Sequence, residues 1–219
     1  RDAMLGRGVH DLDFTTSARP EVIQEILGEW GEKVWDTGIE FGTVSAIRHG
    51  ETVEITTFRS DLYDGVTRNP EVTFGDTLEG DLIRRDFACN AMAIELSLDD
   101  ELRLSPTFHD PVDGLGDLVE QVLDTPQEPE VSFRDDPLRM LRAARFVSQL
   151  GFTVADRVFD AMCDMAAEIE RITAERVQAE LDKLMLGARP WEGIDLLVST
   201  GLASYILPEI PALQLETDE

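Results

Sequence analysis

Pro111 divides this chain into two kinds of sequence. Before it, strand and helix signals alternate. Asp11-Leu12-Asp13-Phe14-Thr15-Thr16 alternates polar and bulky residues, as a half-buried strand does. Pro20 to Trp30 follows with Val22, Ile23, Ile26 and Leu27 at helical spacing, and Pro20 suits a first helical turn. Gly42 to Arg48 and Glu51 to Phe58 flank His49-Gly50 and predict a tight hairpin. Ser60 to Asp76 reads as a polar loop, Leu82 to Ala93 as a helix, and Ile94 to Leu98 with Leu102 to Leu104 as a hairpin about Asp99-Asp100. Beyond Pro111 nearly every signal is helical. Asp117 is placed to cap a short helix through Leu123, and Asp136-Pro137 opens a longer one to about Leu150. Asp156 to Ile169 and Thr173 to Leu186 follow, the latter between Thr173 as N-cap and Gly187 as C-cap, and Pro190 to Ser199 is a further helix. A chain ordered in this way is α+β, a mixed domain leading into helices.

At 219 residues the chain holds one large domain or two small ones, taking about 150 residues per domain. No apolar run approaches the roughly 20 residues of a membrane-spanning helix. Cys89 and Cys163 are the only cysteines, which excludes a disulfide scaffold or a four-cysteine zinc site and makes a reduced, cytoplasmic protein the default. The charge is strongly negative: 45 acidic residues stand against 19 basic ones, a net −26 spread along the whole length. Only Lys33 and Lys183 are lysines; the remaining basic residues are arginines. Broad, charge-driven nucleic-acid binding needs a basic surface, so any such contact here is local and arginine-based. Residue 1 is already arginine, with no initiating Met or signal peptide, and the chain reads as a fragment.

Four segments carry chemistry. On a strand, Asp11 and Asp13 point to one face, about 6.6 Å apart along the chain. Carboxylates so placed can hold two Mg²⁺ ions about 3.5–4 Å apart, as phosphoryl transfer requires, or they are simply two exposed strand-edge aspartates. Glu54 faces away from Val53, Ile55 and Thr57, and is either a third acid on the same sheet face or a solvated hairpin residue. In Arg84-Arg85-Asp86-Phe87-Ala88-Cys89-Asn90-Ala91, Arg85 suits a phosphate, while Asp86 and Asn90 at i, i+4 suit a ribose hydroxyl. The alternative is an internal Arg–Asp bridge with a capping asparagine. Cys89 reads as core filler.

The fourth segment runs Asp135-Asp136-Pro137-Leu138-Arg139-Met140-Leu141-Arg142-Ala143-Ala144-Arg145. On a helix, Arg139, Arg142 and Arg145 span an arc of about 120°, with Met140, Leu141, Ala144 and Val147 largely opposite. Such a helix packs by one flank and presents a row of arginines on the other. An Arg with a nearby Asp can offer donors and acceptors to a base edge; equally, Asp135 and Asp136 can serve the helix N-terminus and pair with Arg139. His10, His49 and His109 have no metal-ligand spacing.

In order, these segments resemble the class II tRNA nucleotidyltransferase / poly(A) polymerase family. Arg1-Asp2-Ala3-Met4-Leu5-Gly6-Arg7 is similar to its Arg-Asp and Leu-Leu-Gly stretch, and Asp11-Leu12-Asp13-Phe14 to its metal motif. Residues 84 to 91 carry Arg-Arg-Asp-Phe-x-x-Asn-Ala, and His109 to Gly114 resembles the head–neck connector. Asp135-Asp136-Pro137-Leu138-Arg139 resembles the Glu-Asp-x-x-Arg nucleotide-selecting motif, with Asp135 for the usual glutamate, and Glu175-Arg176 with Glu180 resembles the neck motif that follows it. The resemblance implies a polymerase-β-like nucleotidyltransferase head over residues 1–108, a helical neck over 109–187, and the start of a helical body over 188–219. It implies that Asp11 and Asp13 hold catalytic Mg²⁺, with Glu54 as third carboxylate. Arg1 and Arg85 would contact the nucleotide, Asp86 and Asn90 its ribose, and Asp136 and Arg139 the base edge; Arg142 and Arg145 would support the phosphates or the pocket.

The implied partners are ATP, CTP and the 3′ end of tRNA, without a membrane. The implied reaction is attack of an RNA 3′-hydroxyl on the α-phosphate, adding CMP and AMP. Thr37 to Val44 resembles the CCA-adding form, not the arginine-rich segment of poly(A) polymerases. Poly(A), CC-only and A-only addition remain alternatives, as does a non-catalytic nucleotide- or RNA-binding module. The family's glycine pair is missing before Arg1, and most of its body and tail after residue 219.

Overall fold

Pro20 opens a helix that runs to Trp30, as the sequence predicts, and Gly31 closes it: α1 spans Pro20–Trp30, just after the strand β1, Leu12–Thr16. The structure, a computed structural model, describes residues 1–8, 12–59 and 74–212. After α1 come β2 (Lys33–Gly38), a 3₁₀ turn at Ile39–Phe41, β3 (Thr43–Arg48) and β4 (Glu51–Thr57). The β3–β4 hairpin turns at His49 and Gly50, with φ of 54° and 83°. Both values lie in the left-handed region that the primed two-residue hairpin turns require. The sheet order is β1-β4-β3-β2, with β1 parallel to β4 and the other pairs antiparallel.

Alternation along the strands decides which face of this sheet is apolar. Val44 and Ala46 of β3, with Val53 and Ile55 of β4, pack with Ile23 and Leu27 of α1. Val22 and Ile26, one step round the helix, are exposed. The helix α2 (Leu78–Ile83) follows, capped by the Thr77 hydroxyl accepting from the Gly80 N–H at 3.2 Å. Strands β5 (Ala93–Leu98) and β6 (Leu104–His109) form a separate hairpin.

The chain clusters into two compact units. One comprises Arg1–Arg85 with Met92–Pro111; the other comprises Asp86–Ala91 with Val112–Glu219. The second unit contains α3 (Gly114–Glu120), β7 (Val122–Leu123), α4 (Pro129–Asp135), α5 (Leu138–Leu150), β8 (Thr153–Val154), α6 (Asp156–Met165), α7 (Ala174–Met185), α8 (Pro190–Ser199), α9 (Ala203–Ile206) and α10 (Glu209–Ala212). Its centre is α5, which packs against α4, α7 and α8. Met140, Leu141, Ala143 and Ala144 are wholly buried. Gly193 brings α8 close to α5: a Cβ there would lie 2.6 Å from the Ala144 carbonyl oxygen. The excursion of residues 86–91 is fastened into this unit. Phe87, fully buried, meets Phe146 edge to face at 5.7 Å, and the Ala88 N–H donates to the Asp124 carbonyl at 2.8 Å.

Several expectations are corrected. Residues 82–93 are not one helix: α2 stops at Ile83, a 3₁₀ turn covers Ala88–Asn90, and β5 begins at Ala93. The Asp86 carboxylate accepts from the Phe87 N–H at 2.8 Å, a local bond that competes with helix continuation. Asp117 is not a cap; α3 begins at Gly114 and ends at Glu120, and its C-cap Gln121, with φ of 58°, turns the chain into β7. The pairing of β7 with β8 is remote in sequence, so local periodicity carries no sign of it. Helix α6 ends at Met165 and a 3₁₀ segment, Ala166–Arg171, continues it. Leu186, not Gly187, is the C-cap of α7. Helix α4 has no counterpart in the sequence reading.

Candidate functional site

In the first unit, the parallel register sets Asp13 of β1 directly beside Glu54 of β4. Directly paired residues share a sheet face, and the neighbours Val53 and Ile55 lie in the core against α1, so both carboxylates occupy the opposite side. Both are exposed, and the Ser45 hydroxyl of β3 donates to Glu54 Oε1 at 3.3 Å. Two adjacent, solvent-reached carboxylates form a hard oxygen donor set that fits a divalent cation. Asp11 lies outside the described residues, and among the described residues no group of three His, Cys, Asp or Glu side chains is placed to hold a metal.

Two arginines expected at the nucleotide are engaged locally. Arg1 donates to both oxygens of Asp2, at 2.9 and 2.8 Å. The Arg1 bonds hold the Asp2 carboxyl below its ordinary value, against the opposing effect of partial burial. Arg85 pairs with Asp81 one helical turn away at 3.3 Å. Asp81 is buried and also accepts from the Arg59 N–H at 3.1 Å, so Arg85 is anchored while its side chain stays 40% exposed.

Asp86 and Asn90 come together, though through a 3₁₀ turn and not on a helix face. The Asn90 amide donates to Asp86 Oδ1 at 3.0 Å. Asp86 Oδ2 accepts from Arg142 through Nε at 2.9 Å and through Nη2. Burial of Asp86 works to raise its pKa, but the Arg142 charge and the bonds from Asn90, Arg142 and the Phe87 N–H outweigh it and leave the carboxyl below its ordinary value. Asp86 is therefore an ionised centre inside the second unit, tying residues 86–91 to α5.

The row of arginines on α5 is also corrected. Arg145 is buried, pairs with Glu180 of α7 at 3.0 Å and lies over the Phe146 ring at 4.3 Å. Arg142 is held by Asp86. Both flanks of α5 are packed, so a helical-wheel division into core and arginine faces does not hold.

Arg139 and Asp136 differ from these. Asp136, extended between α4 and α5 with φ −143° and ψ 98°, keeps its side chain 26% exposed. Its Oδ1 accepts from the Leu138 N–H at 3.2 Å and its Oδ2 from Arg176 of α7 at 3.0 Å. The Arg139 guanidinium donates through Nη1 to the Ser132 hydroxyl of α4 at 2.8 Å. Arg176 was legible as part of a motif, but its partner was not. Ser132 was missed altogether, because a lone serine before Phe133 has no sequence signal.

Residues 1–124 match the family model of the "Poly A polymerase head domain", and residues 151–213 match that of the "Probable RNA and SrmB-binding site of polymerase A". The CCA-adding enzyme of Levilactobacillus brevis is 41% identical over 206 residues, which is 94% of this chain and 49% of that protein. Among solved structures, the Bacillus stearothermophilus CCA-adding enzyme in complex with CTP is similar with a TM-score of 0.78 and 37% identity, over 94% of this chain and 47% of the other. A tRNA nucleotidyltransferase complexed with a primer tRNA and an incoming ATP analog is similar with a TM-score of 0.77 and 29% identity, over 94% of this chain and 56% of the other. The chain spans about half the length of the curated relatives it matches.

Proposed function

This chain belongs to the poly A polymerase head-domain family, and we propose from that premise that it is the catalytic and nucleotide-selecting part of an enzyme adding C and A to the 3′ end of tRNA. The base-reading pair Asp136 and Arg139 carries the reading. Cytosine and adenine share one edge pattern, an exocyclic amino donor beside a ring-nitrogen acceptor. Uracil and guanine present the reverse, a carbonyl beside an N–H. A carboxylate acceptor set beside a guanidinium donor would therefore complement C and A alike and oppose U and G, with about 1–3 kcal/mol of discrimination per good bidentate pair. The bonds from Arg176 and the Leu138 N–H support this role, because they orient the Asp136 carboxylate while a quarter of it remains reachable.

Asp13 and Glu54, with Asp11, would hold Mg²⁺, which supplies positive charge against the developing phosphate charge when bound. The residues 1–108 would form the head, 109–187 the neck and 188–219 the start of the body. Arg1 and Arg85, each braced by an aspartate, would meet the phosphates. Asp86 would act through Asn90 and Arg142, keeping the ribose-facing segment in place. The 3′-hydroxyl of the RNA would displace pyrophosphate from the α-phosphate, with positioning and electrostatics supplying most of the acceleration.

The test is separate equilibrium binding of ATP, CTP, GTP and UTP, with Mg²⁺, to this protein and to Asp136→Ala. ATP and CTP bind to the unaltered protein, and the variant loses the discrimination. ATP alone would instead identify a poly(A)- or A-adding enzyme. Binding that ignores both Mg²⁺ and the base would indicate a non-catalytic module.

A further inference from the structure

We propose that Ser132 is a positioning residue for base selection, setting both members of the Asp136–Arg139 pair from one point in α4; this rests on the base-reading role given to that pair above. Ser132 is 3% exposed. Its N–H donates to the Glu128 carbonyl at 3.1 Å, and its own carbonyl accepts from the Asp136 N–H at 3.2 Å. Its hydroxyl accepts from Arg139 Nη1 at 2.8 Å. One buried residue thus fixes the main chain of the acceptor and the side chain of the donor.

The chemistry of the hydroxyl matters. It fixes the direction of one Arg139 N–H and adds no negative charge of its own. Ser132 also supplies only its backbone to Asp136, so removing the hydroxyl disturbs Arg139 and leaves the Asp136 bond available.

The test uses the full-length protein and measures kcat and KM for addition of each of the four nucleotides to a tRNA primer. In Ser132→Ala the CTP-over-UTP and ATP-over-GTP ratios of kcat/KM fall by about tenfold, the scale of one hydrogen bond to a charged group. The loss appears mainly in KM for CTP and ATP. Ser132→Thr, which keeps the hydroxyl, holds the ratios near those of the unaltered protein. Arg139→Ala is measured beside them. If Arg139→Ala loses selectivity while Ser132→Ala keeps it, the positioning role is wrong and the base-reading role stands. If Arg139→Ala itself keeps selectivity, both are wrong. A drop in thermal midpoint for Ser132→Ala with unchanged ratios would make the serine a packing residue only and overturn the proposal.

Discussion

Asp117 shows how far a single side chain can depart from its ordinary chemistry. It sits in the first turn of α3, with Oδ2 buried and without a hydrogen-bond partner. Burial first, and then the neighbouring charges of Asp124, Asp113 and Glu120, push its pKa from 3.8 to about 6. Between those values the folded chain binds more protons than the unfolded one, so this group makes stability fall as pH rises through the window. Asp117→Asn therefore melts higher than the unaltered protein at about pH 7.5, and the gain disappears below about pH 3, where the aspartate is protonated in both states. A gain that persists at low pH would point to packing and not to charge. The sequence marks Asp117 only as a helix cap and carries no sign of its raised pKa, because Asp124 reaches it only once α3 turns into β7. The Asp86–Arg142 pair was hidden for the same reason: its members lie far apart in the chain. Asp136 and Arg139 are three residues apart in one motif, so the sequence can nominate them together.

At the level of elements, periodicity served where burial is one-sided and failed where it is not. Helix α1 lies on one face of a sheet and was legible to its ends. Helix α5 was legible in extent, yet its arginine flank was misread because neighbours cover it on several sides. What permits that enclosure is small residues at the contacts. Gly193→Ala would drive a Cβ toward the Ala144 carbonyl and against Leu184 and Ser148, the last two at 3.1 Å. The expected cost is about 1–3 kcal/mol, read as a lower urea midpoint with an unchanged slope. A neutral result would mean that α8 can shift away from α5 freely.

For the molecule as a whole, charge is the quantity with the longest reach. The described ion pairs engage many of the arginines, but 45 acids outnumber the 19 basic residues, and the surplus repels itself. Raising KCl from about 0.1 to 1 M shortens the screening length from about 10 to 3 Å. The urea midpoint therefore rises over this range, whereas a chain held chiefly by exposed ion pairs would lose stability. Composition made this legible at once; how the surplus is shared between the units was not.

The short excursion of residues 86–91 also bears on how such a chain is inherited. A recombination joint at Pro111 would hand a descendant the second unit without Phe87, leaving Phe146 without its aromatic neighbour and Arg142 without its aspartate. Gene shuffling that treats the two units as beads on a string is penalised here. The chain of the first unit is interrupted by six residues of the second, and a lineage exchanging the second must carry residues 86–91 with it or repair the seam by compensating mutation.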